Sequence, residues 1–490
     1  GPAARPAAAF AWRARESGPS GMVEPEAEIR GIGAGSGGRA VAAGASRMGA
    51  PTVLIEAGKM GGDCLNYGCV PSKSLLAAGH AAQAMRESAR FGVNGAVPGI
   101  DFTKVHSHVH DVIAAIAPND SVERFEGLGV RVIEAHGRFT APNRVEAGGQ
   151  VIRARRFVVA TGSRAAVPPI PGLDETPFMT NETLFDQTTA PEHLIIIGGG
   201  PIGVELAQAH RRLGSEVTLL EMFSLLGNDD PELVDVVRNR LRAEGVEIHE
   251  GLSISGVERQ GNRIVVTAGS RIIEGSHLLV AAGRAPNVDD LGLDAGRIEH
   301  SAKGIAVDAR MRTSNRRVYA VGDVTGPPML THAANLQAGI VIRNALFRLP
   351  AKLDTNAMPW VTYSDPELAQ VGMNEAAARA AGRAFRVLRW PFAENDRAQA
   401  ERATEGLIKA IVTPRGAILG AGIVGRAAGE LIQPWALAIG AGLKIGALAG
   451  MTVAYPTLGE VNKRAAGAFF TPKLTGEGVK KLVKFLSWFG

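Results

Sequence analysis

Cysteine is nearly absent, with two residues in 490. That excludes a disulfide framework and any metal site built from three or four thiolates. Long apolar runs are missing as well. The richest region, residues 417–455, is interrupted by Arg426, Glu430, Gln433, Pro434 and Lys444 before about 18 clean residues accumulate, so no transmembrane helix is expected. Charge of one sign is not concentrated anywhere: 53 Lys+Arg stand against 48 Asp+Glu with no block of five or more like charges. Nucleic acid binding is therefore not supported despite a pI near 9.3. A hydrophobic signal core is also lacking, and the expected localisation is cytoplasmic. Residues 1–26, rich in Ala, Pro, Arg and Ser, show no apolar period and are expected to form a disordered tail that opens on a cloning remnant, Gly1-Pro2.

Glycine, in contrast, is abundant at 61 residues, suiting a chain with many tight turns and close approaches of backbone to ligand. At roughly 100 to 200 residues per domain, the length suggests about three units. The first opens with a strand, a glycine turn carrying Gly33, Gly35 and Gly38, a helix, and a second strand ending at Glu56. The same order returns with Gly198, Gly200, Gly203 and Glu221, and in both copies the acidic residue follows the first glycine by 23 positions. In such a unit the first glycine makes the turn, the second admits a pyrophosphate, and the third lets helix and strand pack; the carboxylate accepts from ribose hydroxyls. Glu221 favours NADH over NADPH, because Met222-Phe223-Ser224 offers no arginine for a 2′-phosphate. One blemish is the first strand, where Arg30 and Gly31 interrupt an otherwise apolar run.

Strand-like echoes follow each copy: Phe157 to Gly162 after the first, and Leu278 to Arg284, with Gly283, after the second. A third run, Val318 to Val321, ends at Gly322-Asp323. From about Leu353 the pattern changes to strands at Trp360 to Tyr363, Val387 to Trp390, Gly406 to Val412 and Leu419 to Val424, with helices between and after. This reads as a separate α+β domain.

Both cysteines, Cys64 and Cys69, fall in one glycine-bounded segment, residues 61–73. In a regular α-helix their Cα atoms would be roughly 8.6 Å apart, beyond the reach of about 7 Å that a disulfide allows. They can bridge only if Cys64 sits in an irregular first turn, a freedom that Gly61, Gly62 and Gly68 supply. A bridge closing so small a loop adds little stability, so its value is redox chemistry.

The segment Cys64-x4-Cys69-Val-Pro-Ser-Lys73, the two glycine motifs, Ala160-Thr161-Gly162 and Val321-Gly322-Asp323 together resemble the flavoprotein disulfide reductases. That is the family of dihydrolipoamide dehydrogenase, glutathione reductase and mercuric reductase, and the similarity covers about residues 27–473. It implies two Rossmann-like dinucleotide-binding domains and a C-terminal α+β dimerisation domain. Residues 27–167 and 285–350 would form the FAD-binding domain, residues 168–284 the NAD-binding domain, and residues 351–490 the interface domain of a homodimer. Gly33, Gly35, Gly38, Glu56, Lys73, Thr161, Gly162, Gly322 and Asp323 would then serve FAD, and Gly198, Gly200, Gly203, Glu221 and Gly283 would serve the nicotinamide cofactor. Cys64 would be the interchange thiol, Cys69 the thiol nearest the flavin, and Lys73 would pair with Glu205. The expected activity is passage of electrons from NADH through FAD and a Cys64–Cys69 redox disulfide to a small-molecule or protein-bound disulfide, or to another thiol-reactive acceptor.

The chain departs from that pattern at Tyr455. Where the lipoamide and glutathione enzymes carry His-Pro with a Glu four residues later, this sequence reads Tyr455-Pro456-Thr457-Leu458-Gly459-Glu460. A phenol with a pKa near 10 is a poor base at neutral pH, and losing His should cost on the order of 10²- to 10⁴-fold in thiol proton transfer. Tyrosine in this region resembles mercuric reductase, whose additional C-terminal cysteine pair is missing here. Reduction of a metal ion or a quinone is the alternative within the class; a degenerate, membrane-associated flavoprotein is the alternative outside it. Three weaker features complete the reading. His106, His108 and His110 read as a solvated helix face rather than metal ligands. His332 is expected near the flavin edge. The amphipathic stretch Val479 to Phe489 is expected to pack on the dimer or the protein's own surface, with weak membrane contact as the other option.

Overall fold

The computed structural model describes residues 27–95 and 97–489, so the expected tail over residues 1–26 lies outside the described part. The first strand, Ala27–Ile32, pairs in parallel with Thr52–Glu56 on one side and Gln150–Val159 on the other. Val130–Glu134 extends this sheet beside Thr52–Glu56, and Val318–Ala320 joins it beside Gln150–Val159. The chain thus leaves the first sheet, builds a second, and returns. Arg30 and Gly31 do not interrupt the strand. Arg30 is fully buried within it, and a Cβ on Gly31 would press on Leu54 Cδ1 at 3.1 Å.

The second sheet is also parallel, in the order Glu247–His249, Glu216–Leu220, His193–Ile197, His277–Val280. Leu194, Ile195 and Ile196 are fully buried, as a central strand covered on both faces requires. A three-stranded antiparallel sheet, Ile254–Gln260, Arg263–Ala268 and Arg271–Gly275, precedes its last strand.

The third unit is a five-stranded antiparallel sheet in the order Pro359–Thr362, Glu367–Gly372, Ile418–Gly425, Leu407–Val412, Arg386–Pro391. Helices pack on it around fully buried Trp435, whose indole N–H donates to Asn462 Oδ1 at 2.8 Å. The architecture is therefore α/β, with two doubly wound units and an α+β third.

Within one chain the helix Glu477–Leu486 buries none of its residues, while Val461, Ala465, Ala466 and Phe469 belong to the core of the third unit. Among the described residues no helix is long and apolar enough to cross a membrane.

Candidate active site

Each glycine turn ends at the N-terminus of a helix. Gly35 caps Ser36–Arg47 and Gly200 caps Pro201–Arg212, so unpaired N–H groups and the positive end of the helix dipole face whatever lies above. Gly33 and Gly198 take φ of +102° and +115°, conformations that side chains of L-residues avoid. A Cβ at Gly35 or Gly200 would meet only open space, whereas one at Gly38 or Gly203 would strike the backbone of Gly33 or Gly198. The three roles assigned to the glycines are thus visible twice, and both cradles fit a dinucleotide pyrophosphate.

The acidic partners behave alike. Glu56 accepts from the Ala34 N–H and from Gly58 N at 2.7 Å; Glu221 accepts from Gly199 N at 2.6 Å and Phe223 N at 2.8 Å. Each carboxylate therefore braces its own glycine turn.

Both turns open into one cleft of about 1980 Å³, larger than the roughly 300–1,000 Å³ of a typical small-molecule pocket. Cys64, Cys69, Lys73, Glu205, Thr161, Gly162, Gly283, Gly322 and Asp323 line it. The cysteine segment lies directly over the first turn, where a Cβ on Gly62 would come within 2.8 Å of Gly35 Cα. Cys64 sits in the short helix Gly62–Asn66, and the helix Cys69–Glu87 starts afresh at Cys69 after Tyr67-Gly68. The break that lets the two cysteines approach thus falls at Tyr67-Gly68 and not at Cys64, which is itself helical, and both thiols are free in this structure.

The hydrogen bond that Cys69 donates holds the Cys64 thiol down at about 6, against the opposing effect of burial, with help from the Thr331 hydroxyl and the charge of Arg39. Donating that bond, together with burial, pushes Cys69 well above the usual thiol range. The first ionisation therefore belongs to the pair, and one proton is shared between the sulfurs. Cys69 Sγ also lies 3.6 Å from Thr331 Oγ1.

Lys73, one turn along the same helix, meets Glu205 Oε2 at 2.7 Å. The other oxygen, Glu205 Oε1, accepts from Tyr363 N at 2.9 Å, and the Lys73 ammonium sits 4.4 Å from the centre of the Tyr363 ring. The two helices pack against each other where Gly79 lies against Ala209, and a Cβ at Gly79 would sit in ordinary contact 3.5 Å from Ala209 Cα.

Several site residues carried no signal of their own in the sequence. Arg284 Nε donates to Ser163 Oγ at 2.7 Å, and Ser163 Oγ donates to Asp323 Oδ2 at 2.6 Å. Arg284 also lies 3.2 Å from Asp63 Oδ1, which accepts from Asn181 Nδ2 at 3.0 Å. Burial raises the Asp323 carboxyl above its usual range despite Ser163 and Arg284. Thr161 Oγ1 donates to Asn287 O at 2.8 Å, and Asn287 N donates to Gly162 O at 2.9 Å, tying this loop to the returning chain. His332 lines the cleft and its Nε2 lies 2.7 Å from Pro359 O.

Tyr455 and Glu460 are not brought to the cysteine pair of their own chain, since neither lines the cleft. Tyr455 is 70% exposed and donates its hydroxyl to Asp396 Oδ2 at 2.8 Å. That bond to a carboxylate raises the phenol above its ordinary value, so still less of it is ionised and able to accept a proton at neutral pH. On the helix Phe102–Ile116, the His106 and His110 rings stack at 4.1 Å and His110 Nδ1 lies 3.1 Å from His106 O. Among the described residues no group of three or more His, Cys, Asp or Glu is placed to hold a metal ion.

Comparison with known proteins agrees with this geometry. The pyridine nucleotide-disulphide oxidoreductase family matches residues 32–338, and the dimerisation domain of that family matches residues 358–466. A mercuric reductase of Streptomyces lividans is 34% identical, over 89% of this chain and 95% of that protein. A dihydrolipoyl dehydrogenase of Geobacillus stearothermophilus is 34% identical over 90% and 96% respectively. The solved Cu(II) complex of the HOCl-induced flavoprotein disulfide reductase RclA from Escherichia coli superposes with a TM-score of 0.82 at 27% identity, covering 90% of this chain and 99% of that one. The family model spans both glycine cradles and the thiol pair, its dimerisation domain follows, and the chain belongs to the pyridine nucleotide-disulphide oxidoreductases, the flavoenzymes that couple a nicotinamide cofactor to a redox-active cysteine pair.

Proposed function

We propose that this enzyme, as a homodimer, spends NADH to reduce a disulfide or another thiol-reactive acceptor at Cys64. The observation that carries this reading is the placement of Cys64 and Cys69 over the first glycine turn, in the cleft that both turns share. FAD, when bound, supplies the two-electron link between the nicotinamide and the cysteines. The proposed binding units are residues 27–167 with 285–350 for FAD and residues 168–284 for NADH, with residues 351–490 forming the interface. Gly33, Gly35, Gly38, Glu56, Thr161, Gly162, Gly322 and Asp323 would hold FAD, with Lys73 beside it; Gly198, Gly200, Gly203, Glu221 and Gly283 would hold NADH.

The thiol chemistry then follows from the shared proton. At neutral pH the pair is a monoanion, so a Cys64 thiolate attacks one sulfur of the acceptor disulfide, forming a mixed disulfide and expelling a thiolate. Cys69 gives its proton to that leaving group and attacks Cys64 Sγ, which breaks the mixed bond and releases the second thiolate. Two electrons have passed to the acceptor and Cys64–Cys69 is oxidised. Glu205 fixes the Lys73 ammonium at the edge of this chemistry.

Tyr455 supports a second acceptor class. A phenol tied to Asp396 cannot relay thiol protons well, which favours acceptors whose reduction does not depend on proton relay between thiols, a metal ion or a quinone. Anaerobic titration of the flavin-loaded enzyme with NADH tests the common core. A long-wavelength band appearing after two electrons is expected, and bleaching without it would show that the cysteines are not coupled to the flavin.

A further inference from the structure

The helix Glu477–Leu486 lies beyond the dimerisation domain matched at residues 358–466, and none of its residues is buried. At about 100° per residue, Val479, Leu482, Val483, Phe485 and Leu486, with Phe489 just past the end, fall within one arc of about 160°. Lys480, Lys481 and Lys484 occupy the opposite side, where Lys480 pairs with Glu477 at 3.0 Å. Leu482, Val483, Phe485 and Leu486 are each 53–60% exposed, and Trp488 and Phe489 reach 77% and 74%. The Phe485 and Phe489 rings touch edge to face at 5.2 Å, joining the apolar face into one strip.

From this arrangement we propose that the helix is a peripheral membrane dock, lying flat on an anionic lipid surface with its apolar strip in the acyl boundary. Ten residues span about 15 Å, half the hydrocarbon thickness, so the helix rests in the interface and does not cross it. Charge complementarity selects lipid over a protein partner. Three lysines around an apolar strip gain from anionic headgroups within a Debye length, whereas lysine is depleted where proteins meet proteins. The dock places a nicotinamide-oxidising flavoenzyme beside lipid, and it stands independently of which acceptor Cys64 serves.

The test is co-sedimentation of the FAD-loaded full chain with phosphatidylcholine vesicles, with or without about 30% phosphatidylglycerol. The enzyme should pellet with the anionic vesicles, and raised salt or omission of phosphatidylglycerol should return it to the supernatant. Leu482→Glu with Phe485→Glu should lower partition at least about tenfold, with the flavin spectrum and NADH oxidation unchanged. Lys480→Gln, Lys481→Gln and Lys484→Gln together should weaken binding on anionic vesicles only. A wild-type enzyme that stays in the supernatant overturns the proposal. So does a glutamate variant that pellets like wild type, which would assign binding to overall charge, or one whose oligomeric state changes in light scattering, which would assign the strip to a second copy.

Discussion

Lys73 and Glu205 stand 132 positions apart in the chain and 2.7 Å apart in space. Their helices belong to different glycine-turn units, so the pair ties the thiol segment to the helix of the second turn. Glu205 is 6% exposed and Lys73 37%. Breaking a fully buried pair costs about 3–5 kcal/mol; partial solvation of Lys73 reduces this to about 1–2 kcal/mol. Glu205→Gln should therefore lower the urea midpoint by that equivalent and slow reduction by NADH. Adding Lys73→Met should recover part of the stability and none of the rate, and a fully additive double-mutant cycle would show that the contact carries no energy.

Cys64 held near 6 predicts its reactivity profile. In the reduced enzyme, iodoacetamide alkylation of Cys64 should rise through pH 6 and be nearly level by pH 8, well below the range of a free thiol. Thr331→Val removes one of the donors and should move the profile upward. An alkylation midpoint at the ordinary thiol value in the wild type would remove the basis for Cys64 as nucleophile.

Tyr455→His restores the imidazole that related enzymes use. Because Tyr455 is exposed, the change should leave stability within about 0.5 kcal/mol. Dihydrolipoamide oxidation by NAD should rise by about 10- to 100-fold. No gain would mean that the acceptor pocket is shaped for other chemistry.

Glu221 braces its glycine turn through Gly199 and Phe223. Glu221→Arg should reverse the preference between NADH and NADPH, changing the ratio of their kcat/KM values by about 10²-fold. A wild-type enzyme that already prefers NADPH would contradict the reading of this position.

Asp229 lines the cleft, accepts from Trp360 Nε1 at 2.7 Å, and is raised by burial to about 6. A carboxyl raised in the native state favours folding while protonated. Its contribution is complete below about 4, falls as pH rises through 4 to 6, and is a full penalty above 6. Asp229→Asn should match the wild type near pH 4 and be more stable by about 3 kcal/mol at pH 7, read from urea midpoints at the two pH values. Equal stability at both would place the titration elsewhere.

The features legible in the sequence were those fixed by short-range spacing. Gly33 to Glu56, Gly198 to Glu221 and Cys64 to Lys73 each carry their geometry within one supersecondary unit. The partnership of Lys73 with Glu205 entered through the family resemblance, and the structure reproduces it. The Arg284–Ser163–Asp323 chain of bonds and the contact of Cys69 with Thr331 were invisible, because their members lie between 121 and 262 positions apart and meet only through long-range pairings, of Arg284–Pro286 with Ser163–Ala165 and of Val318–Ala320 with the first sheet. Arg30 misled as a strand breaker since polarity alone does not report what a buried guanidinium meets. The helix Glu477–Leu486 showed its amphipathic period plainly; what could not be read was that its apolar strip faces no surface of its own chain.

Along the helix Pro201–Arg212, Glu205, Gln208 and Arg212 reach in succession to Tyr363 N, to both backbone groups of Asp365, and to the Asp365 carboxylate. Arg212 is 1% exposed and is also held by Glu244 at 2.6 Å. Three consecutive turns are thus riveted to the loop between the strands Pro359–Thr362 and Glu367–Gly372. Mechanically, that seam is a weld and not a hinge: the second glycine-turn unit and the dimerisation domain are clamped along it through one short loop.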